Sequence, residues 1–184
     1  AVWFMDGAKL KSGALLNPTT TGDRNWQVVG ATDIDGDGQV DLVFQNAANG
    51  MLAAWLMDGL TLRQSVLLNP SAPGQSGWKV VGTGDFNSDG KADLVFQHGD
   101  GTIAFWLMDG TSLVSGRILS TALPLEPSWR VKGIADLNKD KQLDLLVERA
   151  DGSLAALFLN GTLLREKASF DPPPVGPGWQ IVGT

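Results

Sequence analysis

Half of the chain's acidic side chains, ten of 20, fall in three nine-residue segments, 33–41, 85–93 and 136–144. Each reads D-x-[DN]-x-D-x-x-x-D, which sets oxygen-bearing side chains at positions 1, 3, 5 and 9. These are Asp33, Asp35, Asp37 and Asp41; Asp85, Asn87, Asp89 and Asp93; and Asp136, Asn138, Asp140 and Asp144. Position 7 (Gln39, Lys91, Gln142) is suited to offer a main-chain carbonyl. Carboxylates this close repel unless a counter-ion joins them. A hard cation such as Ca²⁺ wants six to eight oxygens at about 2.3–2.6 Å, and alternate residues of a tight loop converge theirs on one point. Three such ions would bring the formal net charge of −6 to zero. The alternative is a solvated, Asp-rich turn.

Glycine at position 6 (Gly38, Gly90) permits the left-handed residue that closes such a loop. The third segment has Lys141 there, at a cost of about 1 kcal/mol in a left-handed conformation and with an ammonium near the cation. Two to three Ca²⁺ per chain are therefore expected, the third site being the weakest or empty. The pattern is near that of an EF-hand, but the bidentate glutamate at position 12 and the flanking helices are missing.

The elements that position these loops repeat. Trp26, Trp78, Trp129 and Trp179 open matching segments at steps of 52, 51 and 50 residues, and Met5-Asp-Gly, Met57-Asp-Gly, Met108-Asp-Gly and Leu159-Asn-Gly step in parallel. A fixed period in this range signals an array, solenoid or propeller. Within one period come a β-rich run (26–31), the acidic loop, Leu42–Gln45, Asn49-Gly50, the apolar run 51–57, Asp58-Gly59 and the run 62–68. Asn-Gly and Asp-Gly between apolar runs are strong hairpin signals. Each period thus predicts four antiparallel strands, A to D. Strand C is apolar on both faces, which requires cover on both faces. The fold class predicted is an all-β propeller of four-stranded antiparallel blades. Its units are a partial blade (1–25), blades at 26–77, 78–128 and 129–178, and a closing strand at 179–184. With 23 glycines, 9 prolines and 17 Asp against 3 Glu, the composition fits a turn-rich β protein.

W-x-V-V-G-x-x-D-x-[DN]-x-D-G-x-x-D-L-V-F-Q, followed by N/D-G and W-L-M-D-G, resembles the FG-GAP/VCBS repeat across essentially the whole chain. That repeat builds the propellers of integrin α-subunits, of many secreted bacterial proteins and of some fungal lectins. The resemblance implies a propeller, usually of seven blades, with Ca²⁺ held by the A–B loop positions named above. It also implies a secreted, extracellular adhesion, lectin or scaffolding module.

Other chemistry is sparse. Without cysteine there is no disulfide, thiol catalysis or cysteine metal site. His98 is the one histidine and lacks a serine or cysteine partner motif. Asp58, Asp100, Asp109 and Asp151 fall in hairpin turns, so no catalytic residue is assigned and an enzyme is not expected, a polysaccharide-acting enzyme with paired carboxylates being the third alternative after a binding module and a scaffold. The negative charge argues against nucleic-acid binding, and no apolar run approaches the roughly 18 residues of a membrane span. The polar ends of strand B (Gln45, Gln97, His98, Glu148) are candidates to bind a glycan or an extracellular protein in several equivalent copies. The tryptophans, one in each strand A and one in each strand C except the last, where Leu157 stands, are expected between blades, with sugar stacking as the alternative. The sequence opens inside a strand C and ends after a strand A. A homodimer completing a seven- or eight-bladed ring is expected on that basis, with a fragment of a longer chain or a four-bladed monomer as alternatives.

Overall fold

A computed structural model of the chain describes residues 1–119 and 126–170, and every regular element among them is a strand. A two-stranded sheet, β1 (Val2–Asp6) and β2 (Lys9–Ala14), comes first. The first blade is β3 (Trp26–Thr32), β4 (Asp41–Asn46), β5 (Leu52–Asp58) and β6 (Thr61–Leu67). The second is β7 (Trp78–Gly84), β8 (Asp93–His98), β9 (Ile103–Asp109) and β10 (Ser112–Ile118). The third is β11 (Trp129–Ala135), β12 (Asp144–Arg149), β13 (Leu154–Asn160) and β14 (Leu163–Ser169). Strands pair with their chain neighbours throughout, and all pairs are antiparallel. β7 touches both β3 and β11, so the A strands lie side by side along an open arc. The strand expected at 179–184 lies outside the described residues.

The hairpins form where expected, with Gly50 (φ 75°) and Gly59 (φ 57°) in the left-handed region. Register then sorts the apolar side chains. Phe44, Ala53 and Leu67 are cross-strand partners, as are Leu42, Trp55 and Ser65, so they share one face of the first blade. Val43, Ala54 and Val66 share the other. That second face merges with Val80, Leu94, Phe96 and Ala104 of the second blade into one core. In turn Val95, Ile103 and Phe105 merge with Trp129, Val147, Ala155 and Leu157 of the third. The two-sided apolarity of strand C is thus explained by cover on both sides.

Two devices set the distance between blades. Gly30 faces Thr83 and Gly82 faces Ile134 so closely that a Cβ at either glycine would press into the neighbour's side chain. Further along, the Gln45 amide donates to the Trp78 carbonyl (3.0 Å) and accepts the Val80 N–H (3.0 Å). Gln97 repeats both bonds on Trp129 (2.9 Å) and Val131 (3.1 Å). At the strand D side, Asn69 exchanges main-chain bonds with Thr111 and Leu113 of the next blade.

Replacing Gln97 by alanine would leave a buried carbonyl and a buried N–H of strand A without partners. A loss of about 2 kcal/mol or more in urea unfolding is expected. An unchanged midpoint would mean that the clasp adds nothing to stability.

Candidate metal centre and aromatic grooves

The three A–B loops have one hydrogen-bond plan. At position 1, Asp33 accepts the N–H groups of Gly36, Asp37 and Gly38; Asp85 accepts those of Asp89 and Gly90; Asp136 accepts those of Asp140 and Lys141. At position 3, Asp35, Asn87 and Asn138 each take the N–H of position 5 through Oδ1. At position 5, Asp37, Asp89 and Asp140 take the N–H of position 7 in the same way. These turns gather the side chains of positions 1, 3 and 5 at the rim. In the first loop one carboxylate oxygen from each of Asp33, Asp35 and Asp37 lies within 4.8 Å of the others.

Position 9 has a second role. Asp41, Asp93 and Asp144 are fully buried. One oxygen of each accepts the N–H of position 2 (Ile34, Phe86, Leu137), and the other accepts an N–H at the end of strand C (Met57, Met108, Leu159). Burial raises the Asp93 pKa; those two N–H groups pull the other way, and the charges of Asp89 and Asp85 add to the rise.

The loops differ in their cations. In the first, Arg63 of β6 forks over Asp35 and Asp37, with Nη1 2.8 Å from Asp37. In the second, Lys91 turns to Asp109 at 2.7 Å, which raises the lysine pKa. In the second and third loops the position 3 amide donates to the position 5 carboxylate (Asn87 to Asp89, Asn138 to Asp140). Gln142 instead accepts the Gly161 N–H. Position 4 is left-handed as well as position 6: Gly36 and Gly38, Ser88 and Gly90, Lys139 (φ 65°) and Lys141 (φ 69°). Sequence reasoning missed position 4, although the glycine at Gly36 was a signal for it.

The strand B ends differ in what surrounds them. Gln45 and Gln97 are buried, with both ends of their amides on the next blade's main chain. Gln45 also borders a cavity of about 580 Å³ beside residues 72–80. His98 packs against Trp78 at a tilt of 50° (centroids 5.1 Å apart) with Nδ1 2.9 Å from Asp100, whose carboxyl is held down to about 2, chiefly by the Thr102 N–H. Glu148 lies 3.3 Å from Lys132.

A feature not anticipated as such is a groove between the incoming linker and the Trp-bearing face in the first and second blades. Beside the second blade it encloses about 360 Å³ among Pro73, Trp78, Phe96, Ala104, Trp106 and Arg117. Beside the first it encloses about 190 Å³ among Thr21, Trp26, Phe44, Ala53, Trp55 and Val66. Each wall position of the smaller groove has its repeat counterpart in the larger. In the third blade Val147 and Leu157 take the places of Phe96 and Trp106. There Trp129 is buried, with Arg149 (4.6 Å) and Lys167 (4.3 Å) against its ring.

The FG-GAP-like repeat matches the chain twice, over residues 33–96 and 85–147, each match running from one acidic loop through the next. The chain belongs to the FG-GAP-like repeat family. No curated protein matches it significantly. The family and the stacked four-stranded sheets together make this a propeller-type binding or structural module. None of its described residues form a helix long and apolar enough to cross a membrane.

Left-handed lysines strain the third loop. Lys139→Gly and Lys141→Gly are each expected to stabilise the chain by about 1 kcal/mol in urea unfolding with chelator present. Destabilisation by either change would contradict the strain.

Proposed function

We propose that this chain is a non-catalytic, extracellular recognition module that binds saccharides in its Trp-lined grooves and uses Ca²⁺ in its A–B loops for stiffness. The observation that carries the reading is the groove itself, built from the same repeat positions in two consecutive blades. Indole rings offer flat apolar faces with a polar N–H at the edge, suited to the C–H face of a sugar ring. The larger groove is of a size that encloses a small ligand, and Arg117 at its wall adds a charged donor. Two such sites at fixed spacing favour a ligand that repeats, since linked weak sites gain by effective concentration.

Calcium fits the chemistry of the donor set. Positions 1, 3 and 5 present oxygens at the rim, and the buried carboxylate of position 9 adds negative charge behind them. The ion would supply charge neutralisation among the carboxylates of the A–B loop. The acids that remain, such as Asp100 and Asp151, hold their own hairpin turns, which supports a non-catalytic reading.

A second reading, an assembly scaffold, is favoured by the β1–β2 sheet. Its counterparts β5, β9 and β13 each lie between two strands, whereas among the described residues β1 pairs with β2 alone and leaves Trp3 (68%), Met5 (51%) and Leu10 (56%) exposed. Each blade covers the face of its neighbour, so a blade of a second copy is the cover proposed here, giving a homodimer.

A glycan array in calcium is expected to give a sugar signal that Trp106→Ala reduces by tenfold or more. No signal for the wild type would leave the scaffold reading standing alone. Light scattering decides the second reading, a doubled mass supporting it and a monomer mass contradicting it.

A further inference from the structure

We propose that Arg63 is the first loop's own counter-cation, and that the second loop is therefore the chain's tightest divalent-cation site. The inference rests on the calcium reading above and goes beyond it by ranking the loops and naming the residue that sets the rank.

Asp35 and Asp37 each direct Oδ1 to a main-chain N–H of the loop, which leaves Oδ2 facing outward. Arg63 takes both of these oxygens, Nη2 on Asp35 and Nη1 on Asp37. They are the oxygens that an incoming ion would use. A guanidinium stays charged at any working pH, and its planar fork suits two carboxylate oxygens at once.

Its position is built into the strand. In the β5–β6 pair Leu56 faces Gln64 and Met57 faces Leu62, so Arg63 is the extra residue of a β-bulge. Bulges re-aim side chains, and this one sends Arg63 to the rim of its own blade's A–B loop. The corresponding bulge residue of the second blade is Val114, which is exposed. The third blade also has an arginine, Arg165, at its bulge; the first two loops differ in step with their bulge residues. The first has a third rim carboxylate, Asp35, where the second has Asn87, whose amide already donates to Asp89. Asp35 and Asp37 lack such an internal donor, and Arg63 takes its place. In the second loop the nearest cation, Lys91, points away to Asp109.

A divalent ion in the first loop must displace the fork and then sit about 5 Å from a positive charge, which weakens binding by about tenfold even in water. In the second loop Lys91 pairs with Asp109 and does not fork over the rim acids, and the loop has one left-handed non-glycine residue, Ser88, against the third loop's two.

The test is calcium titration of the full chain by calorimetry, with native mass spectrometry to count ions. Asp89→Asn is expected to abolish the tightest event, and Arg63→Gln to tighten a weaker one by about tenfold. As a transplant, Asn87→Asp/Val114→Arg is expected to bind calcium about tenfold more weakly than Asn87→Asp alone. Both Arg63 and Val114 have largely exposed side chains, and circular dichroism checks that each variant folds. The proposal is overturned if Arg63→Gln leaves the isotherm unchanged, if the transplanted arginine has no effect, or if the tightest event survives Asp89→Asn. If no variant and no wild-type sample takes up calcium, the calcium reading fails and this inference with it. Calcium uptake that ignores Arg63 sinks this inference alone.

Discussion

A fully buried carboxylate begins every strand B, and the rest of the blade is arranged round it. Asp41, Asp93 and Asp144 each join two main-chain N–H groups, one from the loop's second residue and one from the end of strand C. Ile34 and Phe86, buried beside these bonds, anchor the loop. Positions 1, 3 and 5 then have little choice but to turn outward at the rim. At Asp93, burial works against the charged form. A raised carboxyl pKa, as at Asp93, means that the folded chain holds the proton more tightly than the unfolded chain does. The folded state therefore loses stability as pH rises through the ordinary carboxylate range. A cation at the rim acts in the opposite direction.

Blade spacing follows from a second constraint, the two-point clasp of Gln45 and Gln97 on the next strand A, together with the close approach at Gly30 and Gly82. With the strands fixed in this way, the linker has to cross the Trp-bearing face of the blade it enters. The grooves are the space left between the two. The acidic loop and the groove thus stand at opposite ends of strand A, the loop at its finish and the groove at its start.

Much of this was legible in the sequence because the repeat writes each rule three times. Asn-Gly and Asp-Gly marked the hairpins, and the two-sided apolarity of strand C required stacked sheets. Lys141 is left-handed, as its place opposite Gly38 and Gly90 implied. What stayed hidden depends on register. W-x-V-V-G reads as an unbroken run, yet a bulge between Val28 and Gly30 leaves Val28 57% exposed and brings Val29 against the core. The same kind of irregularity aims Arg63 at the acids, and nothing in its sequence neighbourhood announces that contact. The strand B glutamines looked like a repeated binding row; only the packing of one blade on the next reveals that their amides serve main chain. Strand spacing also could not tell that tryptophans one per strand would be buried in one blade (Trp129) and line a groove in another (Trp106).

The most direct test of divalent cations at the loop rims is anomalous diffraction from crystals grown in calcium. The account predicts its strongest non-protein peak within about 2.6 Å of carboxylate oxygens of Asp85 and Asp89. Loops with their hydrogen-bond plan intact and no such peak in any of the three would contradict it.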